Sequence, residues 1–491
     1  MNKRVLSFAI FASLLLASCG TADTGVTDTS APSGDTSVSS PEAEYVSPGV
    51  DYGGAVFTIL DYDNENYFWQ AGTYSDIHAD EASGEPINDA QYRRNIKVEE
   101  ELNIDLQTHP VGGEKRNTTK AEYQKLVLSG DESIDAAFLF ANEIKSILTE
   151  PGMSMDLQSI STLNTDASWW DASMVEAYRL GGKLRAITGD VSLYTTFAPV
   201  LYFGNKTMAE NYKLDNVYDL VREGKWTLDV MEEHCRMVAS DLNGDTKMDE
   251  SDQYGMACHT GLIGNTLTGA GGRLSVTKLD GTVEIVLNNE KTVDIVERFV
   301  PFFNDRSVNI IADDYYSKYS NPFYEMHMPM FKNSQVLYNF NQLLIAFELR
   351  AMETDYSILP VPKYDEAQEN YYTPMSPSWV TMLCVPPANN RLDMTGHVLD
   401  ALGYYSQQYV TEEFIDTTVR YKSIRDEDSS EMLDIVLSNK SYDAADIYGW
   451  GGIGVVTLSK KKSTDFASYW ASIEEKVYTE LEATMEMMNA E

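Results

Sequence analysis

The feature that most constrains the fold is an alternation of strand-like and helix-like stretches near the start of the globular region. Residues 55–60, 104–108 and 134–140 have the character of strands, and residues 89–102 and 120–129 have the character of helices. The first of these strands is almost entirely apolar, which is typical of a strand buried on both faces of a parallel sheet. Strand–helix alternation predicts an α/β domain that binds ligands at the carboxyl ends of its strands.

A second region of similar character follows. Thr227 is predicted to cap a helix, because its hydroxyl precedes an apolar stripe that recurs at helical spacing. Further strands are predicted at residues 181–188, 197–204, 336–340, 356–360 and 380–385, and further helices at residues 216–239, 292–303, 392–407 and 463–488. About 440 residues remain after the start of the chain, more than one hydrophobic core normally serves, so two domains are expected.

The first 19 residues have the pattern of a lipoprotein signal peptide. Lys3 and Arg4 precede a short apolar run, and Leu-Ala-Ser stands directly before Cys19, which is predicted to carry the lipid. An ordinary signal peptide with an incidental cysteine is the alternative. Residues 20–52 are rich in Ser, Thr, Gly, Asp and Pro, and are predicted to form a disordered tether.

Charge and cysteine content exclude several classes of function. A formal charge of −39 argues against nucleic acids and anionic lipid surfaces as partners. The three cysteines beyond Cys19 are scattered, without the spacing of a disulfide framework or a zinc site. Cys235 and Cys384 are expected to be small core residues, because each lies in an apolar stretch.

An acidic stretch at residues 241–252 has the spacing of a twelve-residue calcium loop. Its oxygen-bearing side chains stand at positions 1, 3, 5, 9 and 12, and position 7 would contribute a backbone carbonyl. The predicted ligands in this order are Asp241, Asn243, Asp245, Asp249, Asp252 and, through its carbonyl, Lys247. The glycine at position 4 and the closing Asp resemble dockerin-type loops more than regulatory EF-hands. A solvated acidic turn is the alternative, and any bound Ca²⁺ is expected to be structural.

Several short motifs, taken in order, resemble bacterial family 1 extracellular solute-binding proteins, the capture subunits of sugar-importing ABC transporters. Residues 200–206 end a strand in Asn-Lys, residues 225–228 carry a Trp-Thr step into a helix, and residues 241–255 carry the Asp-x-Asn-Gly-Asp…Tyr-Gly turn. Residues 356–363 resemble the family's Tyr-Gly-x-x-Pro-x-Pro segment, and residues 422–434 resemble a segment of its clostridial members.

The resemblance implies an α/β, two-lobed periplasmic-binding-protein-like fold of type II, with the ligand in a cleft between the lobes. The lobes are expected at residues 53–190 plus 380–437 and at residues 191–379 plus 438–491, with crossings near Asp190, Trp379 and Ser438. It also implies a monomer, anchored by lipid to the outer face of the cell membrane. This monomer would capture a carbohydrate, such as an oligosaccharide, by hinge closure and pass it to ABC permease subunits.

Sugar clefts combine aromatic rings, which stack on C–H faces, with planar polar side chains that bind hydroxyls. The candidates at the expected cleft are Asp63, Asn66, Trp69, Asn142, Tyr194, His259, Thr260, Asn339, Asn341, Trp379, Arg425 and Trp450. Several have a structural alternative, because the tryptophans could belong to the core and Arg425 could pair with Asp426.

Two other functions remain open at this point. A glycoside hydrolase would need a pair of carboxylates, and 76 acidic residues make such a pair easy to imagine, but no motif singles one out. No GxSxG, HExxH or phosphate-loop motif is present either, so no enzyme and no catalytic cofactor is expected. A surface lipoprotein that senses a solute would have the same fold as the transport protein.

Overall fold

The structure is a computed structural model that describes residues 45–62, 75–79, 81–111, 117–349, 352–420 and 426–490. Its strands are β1 (Ala55–Tyr62), β2 (Ile104–Val111), β3 (Ala136–Phe140), β4 (Val200–Asn205), β5 (Tyr254–Cys258), β6 (Ser275–Thr277), β7 (Val283–Ile285), β8 (Asn309–Ile311), β9 (Val336–Gln342), β10 (Tyr356–Leu359), β11 (Thr373–Pro374), β12 (Thr381–Cys384) and β13 (Lys440–Ser441).

Its helices are α1 (Pro86–Leu102), α2 (Asn117–Ser129), α3 (Lys145–Thr149), α4 (Ala172–Tyr178), α5 (Leu193–Phe197), α6 (Lys206–Tyr212), α7 (Val217–Arg222), α8 (Leu228–Val238), α9 (Leu262–Gly269), α10 (Glu290–Phe303), α11 (Met328–Lys332), α12 (Ala346–Leu349), α13 (Leu392–Tyr405), α14 (Glu427–Ser438), α15 (Ala444–Tyr448), α16 (Val456–Lys461) and α17 (Phe466–Ala490).

The first sheet has the strand order β12-β3-β1-β2. β1 pairs in parallel with both β2 and β3, and β12 joins the edge antiparallel to β3. The parallel sheet predicted from the strand–helix alternation is therefore confirmed. α1 also ends where predicted, because Asn103 takes a left-handed conformation with φ of 48°, and its N–H bonds back to the Glu99 carbonyl.

The second sheet has the strand order β10-β4-β9-β5-β8 and is mixed. β5 pairs in parallel with β8 and β9, while β4 runs antiparallel to β9 and β10. α8 begins at the predicted cap, where the Thr227 hydroxyl accepts the Val230 N–H, and its buried face includes Cys235. Cys384 is buried in β12, so both cysteines are core residues as predicted.

The chain passes between the sheets along two adjacent segments. The first crossing segment, residues 190–199, leads into β4, and the second crossing segment, residues 374–380, leads into β12. They are joined by a hydrogen bond from the Ser376 N–H to the Ala198 carbonyl, at 3.1 Å. A third connection, residues 406–420, continues α13 as a helix with wider turns and leads towards α14.

Two parts of the architecture differ from the sequence-based expectation or add to it. Residues 181–188 were expected to be a strand, but they make only isolated bridges, Leu180 with Lys183 and Ile187 with Leu383. α14 was assigned to the first lobe up to residue 437, and it packs against β10 of the second sheet. The lobe limits otherwise stay a prediction. In the described part of the chain, no helix is long and apolar enough to cross a bilayer.

Candidate ligand cleft

A cavity of about 230 Å³ lies where the second crossing segment meets the carboxyl edge of the second sheet. One wall is the start of α9, which follows β5 and presents Gly261 and Asn265. The second crossing segment contributes Pro374, Met375 and Pro377. The remaining wall comes from α15 and residues 453–456. The cavity is thus built by segments that the sequence separates by almost two hundred residues.

The first sheet reaches the same place through β3. Asn142 follows this strand, is exposed, and donates its backbone N–H to the Pro377 carbonyl at 3.0 Å. Pro377 itself lines the cavity, so the carboxyl end of β3 and the start of α9 flank one crossing segment. Among the described residues, the predicted ligand contact Asn142 therefore lies next to a segment of the cavity wall.

The most distinctive group in the cavity wall is the carboxylate of Asp446, on α15. This side chain is exposed to the cavity, and the surrounding protein and the negative charge of Asp443 raise its pKa. No donor among the described residues hydrogen-bonds this carboxylate. A carboxylate that faces a cavity and receives no hydrogen bond from the protein has free acceptor positions for the hydroxyl groups of a ligand.

Asp443, one helical turn before Asp446, has the opposite role. Its carboxylate accepts the N–H groups of Leu274 and Ser275 at 2.7 and 3.0 Å and the hydroxyl of Ser275 at 2.5 Å. It also caps α15 through the Ala445 N–H. Asp443 therefore fixes α15 against β6 and positions Asp446. Sequence reasoning missed both residues, because an Asp-x-x-Asp spacing alone does not show which carboxylate is satisfied.

His259 and Thr260 lie at the carboxyl edge of the second sheet, directly after β5. The N–H and hydroxyl of Thr260 both donate to Asp313, at 2.9 and 2.6 Å. The ring of His259 packs against Phe323 and Phe340, and burial lowers its pKa. Both side chains are partly exposed, and both hold the turn that starts α9. Direct contact with a ligand stays a prediction for them.

Asn339 and Asn341 point to one side of β9 and are buried. Asn339 is fully buried and reaches only the sulfur of Met328 among the described residues, at 3.4 Å. The side-chain amide oxygen Oδ1 of Asn341 accepts the backbone N–H of Gln342. In this arrangement neither amide is open to a ligand, so they are parts of the second lobe's interior.

Three predicted aromatic contacts pack inside the protein. Tyr194 and Trp379 stack with ring centroids 6.1 Å apart and join the two crossing segments. Trp450 is fully buried, stacks on Tyr448, and donates its indole N–H to Thr484 of α17 at 2.9 Å. The structural alternative therefore holds for Trp379 and Trp450, because their surfaces are already covered by other residues.

Four predicted contacts, Asp63, Asn66, Trp69 and Arg425, lie outside the described residues, as does Cys19. They stay predictions.

The acidic loop folds as a series of tight turns. Asp241 accepts the N–H groups of Gly244 and Thr246, and Thr246 takes a positive φ of 68°, as position 6 of a calcium loop requires. Asp252 is buried and accepts the N–H groups of Leu242 and Asp249. Across the described residues, no three acidic, His or Cys side chains converge on one metal-sized position. The oxygen-only donor set fits Ca²⁺, while the carboxylates are directed at backbone N–H groups.

Solved structures share this architecture at low sequence identity. One is a cyclo/maltodextrin-binding protein in complex with maltotetraose, with 14% identity, a TM-score of 0.52, and coverage of 89% of this chain and 97% of that chain. Another is an ABC substrate-binding protein from Listeria monocytogenes in complex with cycloalternan, with 13% identity, a TM-score of 0.50, and coverage of 89% and 98%.

A third is the cyclic α-maltosyl-1,6-maltose binding protein from Arthrobacter globiformis, with 12% identity, a TM-score of 0.52, and coverage of 89% and 100%. No family model matches the sequence, and no curated protein does. The chain has the two-lobed, type II periplasmic-binding-protein fold, as predicted, and the structural neighbours are binding proteins.

Proposed function

We propose that this chain is a lipid-anchored, extracytoplasmic solute-binding protein of family 1, which captures a carbohydrate and delivers it to an ABC importer. The observation that carries the proposal is the cavity at the second crossing segment, with the unpartnered carboxylate of Asp446 in its wall. Support comes from the fold, which is shared with proteins solved with bound oligosaccharides.

The chemistry of the cavity suits a neutral, hydroxyl-rich ligand. Asp446 offers two acceptor oxygens, while Asn265 and Thr268 offer an amide and a hydroxyl nearby. Met375 and Val455 add apolar surface for the C–H faces of a sugar ring. Because the chain carries a charge of −39, an anionic ligand would be repelled.

The crossing segments supply the means of closure. A ligand beside Pro377 would touch the start of α9 on the second lobe and the region of Asn142 on the first. Contact with both lobes favours the closed arrangement by the difference in affinity between the two states. The signal peptide and tether in the first 52 residues would hold a monomer at the outer membrane face, beside the permease subunits.

Calorimetry of residues 20–491, the chain without its signal peptide and Cys19, against maltotetraose, a cyclic glucan, a tripeptide and spermidine tests the function. Saturable heat with a glucan, and no new product by chromatography, is the expected outcome. Release of shorter sugars would instead identify a glycoside hydrolase. Heat with only the peptide or the polyamine would show that the protein binds another class of solute, and would contradict the carbohydrate proposal.

Calcium binding at residues 241–252 is a separate part of the proposal. Bound Ca²⁺ would be held by Asp241, Asn243, Asp245, Asp249 and Asp252 with the Lys247 carbonyl, and would brace the turn between α8 and β5. Addition of a chelator should then lower the melting temperature, and Ca²⁺ should restore it, because binding stabilises the folded state by mass action. Asp245→Asn should abolish this response. An unchanged melting temperature would identify a solvated turn.

A further inference from the structure

The carboxyl group of Asp76 lies between the two crossing segments, residues 190–199 and 374–380, which we call the hinge. Asp76 is fully buried and accepts the backbone N–H of Tyr194 at 3.2 Å and the hydroxyl of Thr381 at 2.7 Å. Tyr194 lies in the first crossing segment, and Thr381 begins β12 directly after the second. One carboxyl group thus joins both crossing segments at their first-sheet ends.

A cluster of buried hydroxyl groups extends from this contact. We define the hydroxyl cluster as Thr188, Ser192, Thr195 and Thr381. The Ser192 and Thr381 oxygens lie 2.5 Å apart, and the Thr188 and Thr195 oxygens lie 2.8 Å apart. Thr195 also donates to the backbone carbonyl of Thr381 at 3.1 Å. All four side chains are buried, so the cluster connects the crossing segments without the help of bulk water.

The third connection is held by the same network. Arg94 of α1 is fully buried and donates to the Asp76 carbonyl at 3.0 Å and to the hydroxyl of Ser406 at 3.2 Å. Ser406 is the first residue of the third connection. The two crossing segments, or the strand that follows directly, therefore bond to the side chain of Asp76. The third connection is linked to the backbone of Asp76 through Arg94.

Among the described residues, the charged groups that face Asp76 are Asp61 of β1 and Arg94 of α1. α5, β12 and residues 406–411 carry no Asp, Glu, Lys, Arg or His, and β12 turns the Thr381 hydroxyl towards Asp76. Asp190, which begins the first crossing segment, accepts hydrogen bonds from Gln407 and Thr411 instead. His78, in the same segment as Asp76, is exposed and contacts Thr108 instead. Burial, with the like charge of Asp61, raises the pKa of Asp76 to about 7.

The hydroxyl cluster can accommodate either form of Asp76. An ionised carboxylate accepts the Thr381 hydroxyl hydrogen, and Ser192 then donates to Thr381. A protonated carboxyl group donates to Thr381 instead, and Thr381 then donates to Ser192, so the direction of the chain reverses. The ionised form places a second negative charge beside Asp61 in a dry site, which favours an arrangement where water reaches Asp76.

We propose that Asp76 is the positioning residue of the hinge, and that gain or loss of its proton shifts the balance between arrangements of the lobes. The protonated form favours the arrangement seen here, and the ionised form favours one in which the crossing segments are more hydrated. The inference rests on the proposed function only in that ligand capture uses the same hinge.

The test measures the lobes without any ligand. Leu128 on α2 and Met237 on α8 are exposed, one on each lobe, and the other cysteines of the mature chain are buried. Fluorescence energy transfer between dyes at L128C and M237C should change between pH 6 and pH 8, with a midpoint near 7. The distance at low pH should match this structure. Asp76→Asn, which mimics the protonated form, should keep the low-pH value throughout.

Asp400→Asn is the matched control. Asp400 is also a buried acid of the first lobe whose pKa is raised by burial, but its carboxylate accepts hydrogen bonds from Trp169 and Trp170 and, in the described part of the chain, from no residue of a crossing segment. This variant should keep the wild-type response. If Asp76→Asn does not fold, Thr381→Val is used, which should lose the response, while Thr381→Ser should retain it.

A flat wild-type profile would overturn the inference, and so would an unchanged response in Asp76→Asn. Because no sugar is present, these outcomes are independent of the proposed function. A protein that shows the pH response but binds none of the four solutes would keep the hinge inference and lose the carbohydrate proposal.

Discussion

Two aspartates with the same direction of pKa shift have opposite surroundings. Asp76 at the hinge is fully buried, and its two oxygens accept an N–H and a hydroxyl group. Asp446 opens onto the cavity, and none of the described residues donates to its carboxylate. The pKa is raised to about 7 for Asp76, and that of Asp446 is shifted in the same direction.

The comparison shows that a raised pKa does not by itself distinguish a structural acid from one that binds a ligand. In both places the surrounding protein and a neighbouring carboxylate disfavour the ionised form. The difference lies in the hydrogen bonds, because the folded protein satisfies Asp76 and leaves Asp446 free. Removal of the carboxyl group should therefore damage stability at one site and affinity at the other.

The largest expected effect is on stability at the hinge. Asp76→Ala leaves the Tyr194 N–H buried without an acceptor, while the Thr381 hydroxyl can still donate to Ser192. An unsatisfied buried N–H costs about 1–3 kcal/mol, so the free energy of unfolding should fall by about 1–3 kcal/mol. Asp446→Ala should change it by less than about 0.5 kcal/mol, because no internal hydrogen bond is lost. Urea unfolding of both variants measures this difference.

Asp76→Asn is the control for that prediction. An amide oxygen can still accept one of the two hydrogen bonds, so its cost should be smaller than that of Asp76→Ala. Equal destabilisation by Asp76→Ala and Asp446→Ala would contradict the assignment of one aspartate to the hinge and the other to the ligand.

A smaller effect is expected on affinity at the cavity. If Asp446 accepts hydroxyl groups of the ligand, Asp446→Ala should weaken glucan binding about 10- to 100-fold, since hydrogen bonds to charged groups contribute about 1.5–3 kcal/mol. The affinity of Asp446→Asn for the glucan should lie between that of wild type and that of Asp446→Ala. Titration calorimetry at one pH gives both values, and the melting temperature confirms that each variant is folded. Wild-type affinity in Asp446→Ala would remove this residue from the site.

The sequence predicted local elements of the fold, but not the contacts of Asp76 and Asp446 with distant parts of the chain. The β1 strand, α1 with its end at Asn103, and the cap at Thr227 are local patterns, and the structure has each of them. Asp76 meets Thr381 across 305 residues of sequence, and the cavity joins α9 to α15. No local pattern reports such contacts. For the same reason the sequence left two alternatives open for Trp379 and Trp450, because an aromatic ring has the same sequence signal whether it is covered or open.

The smallest expected effect separates the two sites by pH. An aspartate in an unfolded chain has a pKa of about 3.9, and folding raises that of Asp76 to about 7. Between these values the folded state binds more protons than the unfolded state, so the free energy of unfolding falls as pH rises. Wild type should lose at least about 1 kcal/mol more than Asp76→Asn between pH 5 and pH 8, the equivalent of under one pKa unit.

Urea unfolding of wild type, Asp76→Asn and Asp446→Asn at pH 5 and pH 8 checks this prediction. Asp446 contributes in the same direction, since its pKa is also raised, but its carboxylate is open to the cavity and more of its charge is solvated. The pH dependence should therefore fall more in Asp76→Asn than in Asp446→Asn. A larger fall in Asp446→Asn would mean that Asp446 is less solvated than Asp76. The distinction between Asp76 as a hydrogen-bonded hinge residue and Asp446 as a ligand-binding residue would then be wrong.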